Sequence, residues 1–187
     1  TFIMQKNRYL FIGLLSLLFG LSACDKENPD VLASNYPEGL DELFVETCAT
    51  SGCHAASNPS EGLDMTTWAK LFDGSEYGAN VIPYASDWSL MFVRTNTYHS
   101  VGAHTHEDDY MPLGGDPLDS LTILDIQSWI DNGARSREGA YYWAENETRS
   151  EGKIFNLCAG SDMVAVTELS TNRIMRYFEV GEDPDNL

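Results

Sequence analysis

The chain has 187 residues with 29 Asp and Glu against 11 Lys and Arg, a formal net charge of −18. Such a surface repels nucleic-acid phosphates, which argues against nucleic acid as a partner, and it either favours a basic partner or simply keeps the protein soluble. Charged residues make up 21% and aromatics 11%, which excludes a disordered chain and predicts one domain or one and a part.

Lys6, Asn7 and Arg8 form a short basic region ahead of the apolar run Tyr9–Gly20. That run is too short for an ordinary membrane-spanning helix and reads as the apolar part of an export signal. It ends in Leu21-Ser22-Ala23-Cys24, which resembles the lipobox of bacterial lipoproteins. The resemblance implies a signal peptide over 1–23 and a lipid on Cys24. The protein would then be exported and membrane-anchored, periplasmic or on the cell surface. An uncleaved membrane anchor is the alternative. Residues 24–35 read as a polar tether.

Residues 37–48 read as a helix. Pro37 suits its first turn, Glu38, Asp41 and Glu42 favour its positive end, and Leu40, Leu43, Phe44 and Thr47 share one face. Met65, Trp68, Leu71 and Phe72 predict a short helix ending at Gly74. Ser86 predicts a cap for a helix through Thr95, with Trp88, Met91 and Phe92 packing inward. Asp119 or Ser120 predicts the start of a last helix, lined by Ile123, Ile126 and Ile130 and stopped by Gly133. Beyond 135 the period changes. After a linker over 136–151, the segments 153–157, 163–166 and 173–180 read as strands, with Ser170-Thr171-Asn172 as a turn. The predicted fold class is therefore mainly α over 36–135, followed by a short β segment over 152–187.

Cys48-Ala49-Thr50-Ser51-Gly52-Cys53-His54 carries the chemistry. Covalent haem attachment needs two thiols for the two vinyl groups and an imidazole directly after the second thiol to bind iron. The common spacing is C-x-x-C-H, and here it is two residues longer. Gly52 lets the extra residues bulge outward. Two other readings stay open. Cys48 and Cys53 could form a disulfide with His54 a bystander. A zinc site is weaker, because no neighbouring ligands complete a tetrahedral set.

Further along lie Gly62-Leu63-Asp64-Met65, Val81-Ile82-Pro83, Ser89-Leu90, Met111-Pro112 and Trp129-Ile130-Asp131-Asn132-Gly133-Ala134. In this order, over about residues 36–135, they resemble the small bacterial cytochromes c, in particular the planctomycete-type domains of exported proteins. Tyr84 departs from that pattern, which has Gly there. The resemblance implies a helical haem domain with one covalent haem c on Cys48 and Cys53, His54 as proximal iron ligand and Met111 as distal ligand. His104 and His106 compete with Met111, since a neutral imidazole also binds iron. A thioether ligand favours ferrous iron and raises the potential, whereas two histidines would lower it. Against these roles, Met111 could serve core packing, and His99, His104 and His106 could be solvated loop residues.

Residues 152–187 resemble one blade of the exported β-propellers with YVTN-type repeats. One blade cannot bury both faces, which implies either a longer natural chain or a small β appendage. Cys158 falls in a strand and reads as a small buried hydrophobe. The implied function is single-electron transfer to a redox partner protein or an attached propeller, without catalysis by this chain. A colourless scaffold lipoprotein with a Cys48–Cys53 disulfide, and the haem module of a larger propeller enzyme, are the competing readings.

Overall fold

The structure, a computed structural model, describes residues 29–105, 109–144 and 151–181. Among them are four α-helices: α1 (Pro29–Ser34), α2 (Trp68–Leu71), α3 (Leu90–Thr95) and α4 (Ser120–Asp131). Three strands follow, β1 (Lys153–Cys158), β2 (Met163–Glu168) and β3 (Arg173–Glu179).

The expectation of a mainly α fold is overturned. Only α4 reaches twelve residues, while the other three have four or six. The predicted helix over 37–48 becomes a turn at 38–40, a short helical start and a π turn at Leu43–Cys48. Leu40 and Phe44 are buried there, but Thr47 faces solvent. The predicted helix over 86–95 breaks at Ser89, whose hydroxyl donates to Ile82 O at 3.2 Å and Ala85 O at 2.9 Å and accepts from the Ile82 N–H at 2.9 Å. A serine side chain that satisfies backbone groups this way competes with helix continuation. Ser86, expected as a cap, is buried and bonds through its N–H and hydroxyl to the Asp131 carboxylate instead.

The predicted tether also contributes to the fold. Pro29 opens α1 in the position that suits proline, Val31 and Ser34 are buried, and Tyr36 closes the segment fully buried. The main core gathers Tyr36, Phe44, Phe92 and Leu71 around Ile123, Ile126 and Ile130 of α4. Tyr36 and Phe44 meet edge to face with centroids 4.8 Å apart, and Phe44 lies 5.6 Å from Trp129. Trp68 reaches across the chain to donate from Nε1 to Ala134 O at 2.8 Å. Asp41, itself buried, pairs with Arg137, ninety-six residues away. The Arg137 N–H also donates to Asn35 O at 3.0 Å.

The strands form an antiparallel meander in the order β1-β2-β3. β1 aligns with β2 from Lys153↔Glu168 to Cys158↔Met163. Between β2 and β3 the register shifts at Val166/Thr167, so that Met175 is an extra residue on β3. The β2–β3 turn is held by Glu168, whose carboxylate accepts from the Ser170 hydroxyl and from the Thr171 N–H and hydroxyl. Tyr141 and Trp143 cover Val166 and Met175 in a second core. Tyr142 joins the two cores, stacked on Phe72 at 4.5 Å. Two further contacts dock the sheet. Trp88, expected inside, is half exposed and lies 5.5 Å from Tyr177. Arg176 stands 4.7 Å over the Tyr84 ring. No helix of the described residues is long and apolar enough to cross a membrane.

Candidate functional site

The Cys48–His54 segment is built on the π turn. A π turn inserts one extra residue into a helix and recurs at functional sites. Here the Ala49 N–H donates to Phe44 O at 2.8 Å, five residues back, and Cys48 packs partly buried against the main core. The chain then reverses. The Cys53 N–H donates to Thr50 O at 3.0 Å and the His54 N–H to Cys48 O at 3.1 Å. Gly52 at φ 85° makes the reversal possible. The next segment is laced back by the Ser60 N–H to Cys53 O at 2.7 Å and the Met65 N–H to His54 O at 2.9 Å. The lengthened loop is thus a closed, hydrogen-bonded turn.

Both cysteines are free thiols, Cys48 half-buried and Cys53 exposed. Burial, reinforced by the nearby Cys53, pushes the Cys48 thiol up to about 12. Burial also raises Tyr36 well above the usual phenol range, with Cys48 and Asp64 adding to it. Cys48 is therefore close enough to both the buried Tyr36 and Cys53 for their charges to interact. His54 Nδ1 is buried and has no hydrogen-bond partner. A buried polar atom left without a partner is uncommon in a folded protein and calls for an explanation.

No family model, no curated protein and no solved structure matches this chain. The residues must therefore be judged on their own chemistry. Two free thiols in one loop, followed directly by an imidazole, are the residue types that attachment of a porphyrin and ligation of its iron require. Among the described residues no three His, Cys, Asp or Glu side chains gather into a metal-holding group.

The distal candidates are placed differently. Met111 is half-buried on a loop hung from α3, where its N–H donates to Arg94 O at 2.7 Å. Arg94 also pairs with Asp109 at 3.4 Å. None of these bonds ties the Met111 loop to His54. His104 has both ring nitrogens engaged: Nε2 lies 2.9 Å from His99 Nδ1, and Nδ1 lies 3.1 Å from Thr105 O. The His104 ring is therefore already engaged on both sides. His106 and Cys24 lie outside the described residues. Asn96 was not singled out from sequence, yet it organises this loop. Its amide donates to Ala103 O at 2.9 Å and to Val101 O, and its Oδ1 accepts from the Tyr98 N–H at 2.9 Å. A buried asparagine at a helix end is the signal for such a role. Cys158 is half-buried, with Sγ 3.7 Å from Asn156 O.

Proposed function

We propose that this chain is an exported lipoprotein, anchored through Cys24, that carries one c-type haem and passes single electrons. The observation that carries the reading is the pair of free thiols at Cys48 and Cys53 in one hydrogen-bonded loop, followed directly by His54. Cys48 and Cys53 would hold the porphyrin by thioether bonds, His54 would ligate the iron, and Met111 would be its second ligand. When bound, the haem supplies a one-electron iron couple. The protein's own part is positional. The π turn and the loop bonds fix the thiols, and the bond from Met111 to Arg94 holds the candidate distal loop on α3. Met111 sulfur favours the ferrous state relative to a histidine. The electron partner is a separate redox protein or an attached propeller, for which the β1–β2–β3 meander would be a partial YVTN-type blade.

The nearness of the two thiols also supports a second reading, a disulfide-held scaffold without haem. Expression with cytochrome c maturation machinery, followed by haem staining of a denaturing gel and an intact mass, separates them. A stained band carrying one added porphyrin, lost in the Cys48→Ser, Cys53→Ser double variant, is the expected result. A colourless band whose mass shows only two oxidised sulfurs overturns the haem. Met111→Ala should abolish a sulfur-to-iron charge-transfer band; an unchanged spectrum reassigns the ligand.

A further inference from the structure

Helix α4 buries Ile123, Ile126 and Ile130 and presents Leu121, Leu124, Asp125 and Ser128 to solvent. These outward positions are three and four residues apart, so they form one stripe. A solvent-facing stripe is ordinarily polar, yet Leu121 is 71% exposed and Leu124 44%. Leu113, two residues after Met111, is 75% exposed. Its loop is held in shape: the Tyr110 hydroxyl donates to Gly115 O at 3.1 Å, and the Tyr98 hydroxyl donates to Leu118 O at 3.3 Å. From Tyr110 to Ala134 the sequence contains no Lys, Arg or His, while Asp116, Asp119 and Asp125 are all exposed. Along this stretch of sequence the charges are of one sign, and the cation nearest the loop by its bonds, Arg94, is paired with Asp109.

We propose that the outer face of α4 and the Leu113 loop dock a cationic electron-transfer protein, its basic residues meeting the aspartates and its apolar centre meeting the leucines. The proposal rests on the haem reading and names the partner's chemistry. A second copy of this chain is disfavoured because it brings the same net charge of −18 to the same acidic face. An anionic lipid surface is repelled for the same reason. Transient redox complexes bury little area and draw speed and specificity from complementary charge, which an apolar centre with an acidic fringe provides. In sequence, α4 follows directly on the loop that bears Met111, the candidate iron ligand.

The probe is a lysine-rich soluble cytochrome c, added to the full mature chain. Binding is read by calorimetry at low and raised salt, and electron exchange by stopped-flow absorbance. Leu121→Ser with Leu124→Ser should weaken binding about tenfold, the equivalent of roughly 1.4 kcal/mol, with the haem spectrum unchanged. Asp116→Asn with Asp125→Asn should flatten the salt dependence. Glu38→Gln with Glu42→Gln, exposed acids outside this face, should leave both readouts at the parent level. Parent-level binding by the leucine variant, or equal weakening by the control pair, overturns the docking face. Self-association of the parent that the leucine variant abolishes overturns the choice of partner. Because calorimetry needs no haem, a colourless chain that binds through these leucines sinks the haem reading and keeps the face. A haem-bearing chain indifferent to them sinks the face alone.

Discussion

The region over 29–144 and the sheet over 153–179 solve the same burial problem in opposite ways. The first has little regular structure but a dense core, where Tyr36, Leu71, Phe92, Ile123, Ile126 and Ile130 show no exposed surface. Its backbone is satisfied by scattered turns and side-chain bonds, many of them long in sequence, such as Trp68 to Ala134. The sheet has a regular hydrogen-bonded ladder, yet Phe155, Phe178 and Ile154 remain about half exposed. A ladder satisfies backbone groups without specifying what covers the faces. A loop-rich region persists only if side chains fix it from inside. Loop-rich construction is also what leaves thiols, imidazoles and thioethers on segments free to face a ligand.

That contrast can be broken at its strongest point. Phe92→Ala empties a fully buried site and should cost about 3–5 kcal/mol, lowering the melting temperature by roughly 10 °C. Near-ultraviolet circular dichroism follows the loop-rich region, and amide exchange follows the ladder. If ladder amides lose protection in the same step, the two regions melt as one unit and the contrast fails. Next in size is Arg137→Met, which strands the buried Asp41 carboxylate. A fully dry pair broken this way costs about 3–5 kcal/mol. Because Arg137 is partly exposed, we expect roughly 2 kcal/mol, read from denaturant midpoints at unchanged slope. Trp88→Ala removes the ring contact with Tyr177 and should cost about 1 kcal/mol. It should speed amide exchange in β3 and leave α4 unchanged; the reverse pattern would place Trp88 in the first region's core.

The smallest effect concerns acid. Hydrogen bonds hold the Asp119 carboxyl below its ordinary range, the Thr122 hydroxyl first among them. A depressed carboxyl contributes stability above its unfolded value and loses it as pH falls through the folded one. The first turn of α4 should therefore fray in acid, seen as a slight loss of helical circular dichroism. Asp119→Asn should flatten that response, and an unchanged acid profile would assign the fraying elsewhere.

Much of this was legible locally. Asp119 caps α4, and three isoleucines at helical spacing are fully buried, because cap and period act within a few residues. The strands sit within a residue or two of their predicted bounds. The thiols and His54 lie close in sequence, so their proximity follows from one loop. What failed depended on distant partners. Helix content was overestimated because an ordered series of landmarks says nothing about how long each helix runs; Ser89 ends one by bonding to Ile82. Tyr84 stands at φ 66°, in the left-handed region that favours glycine. Its ring lies between Arg176 and Gly133, contacts that no local pattern reveals. The engagement of His104 by His99 was equally hidden, since a run of histidines does not show which ring faces which.

The clasp between Asp41 and Arg137 sets an order of events as the chain emerges, N-terminus first. The segment bearing Cys48 and Cys53 appears early, but Arg137, which pairs with Asp41 and bonds to Asn35 just ahead of it, follows only about a hundred positions later. Local turns of the sheet need no such wait. For that interval the Cys48 sulfur is not yet packed against the core, whereas Cys53 stays exposed even in the finished fold.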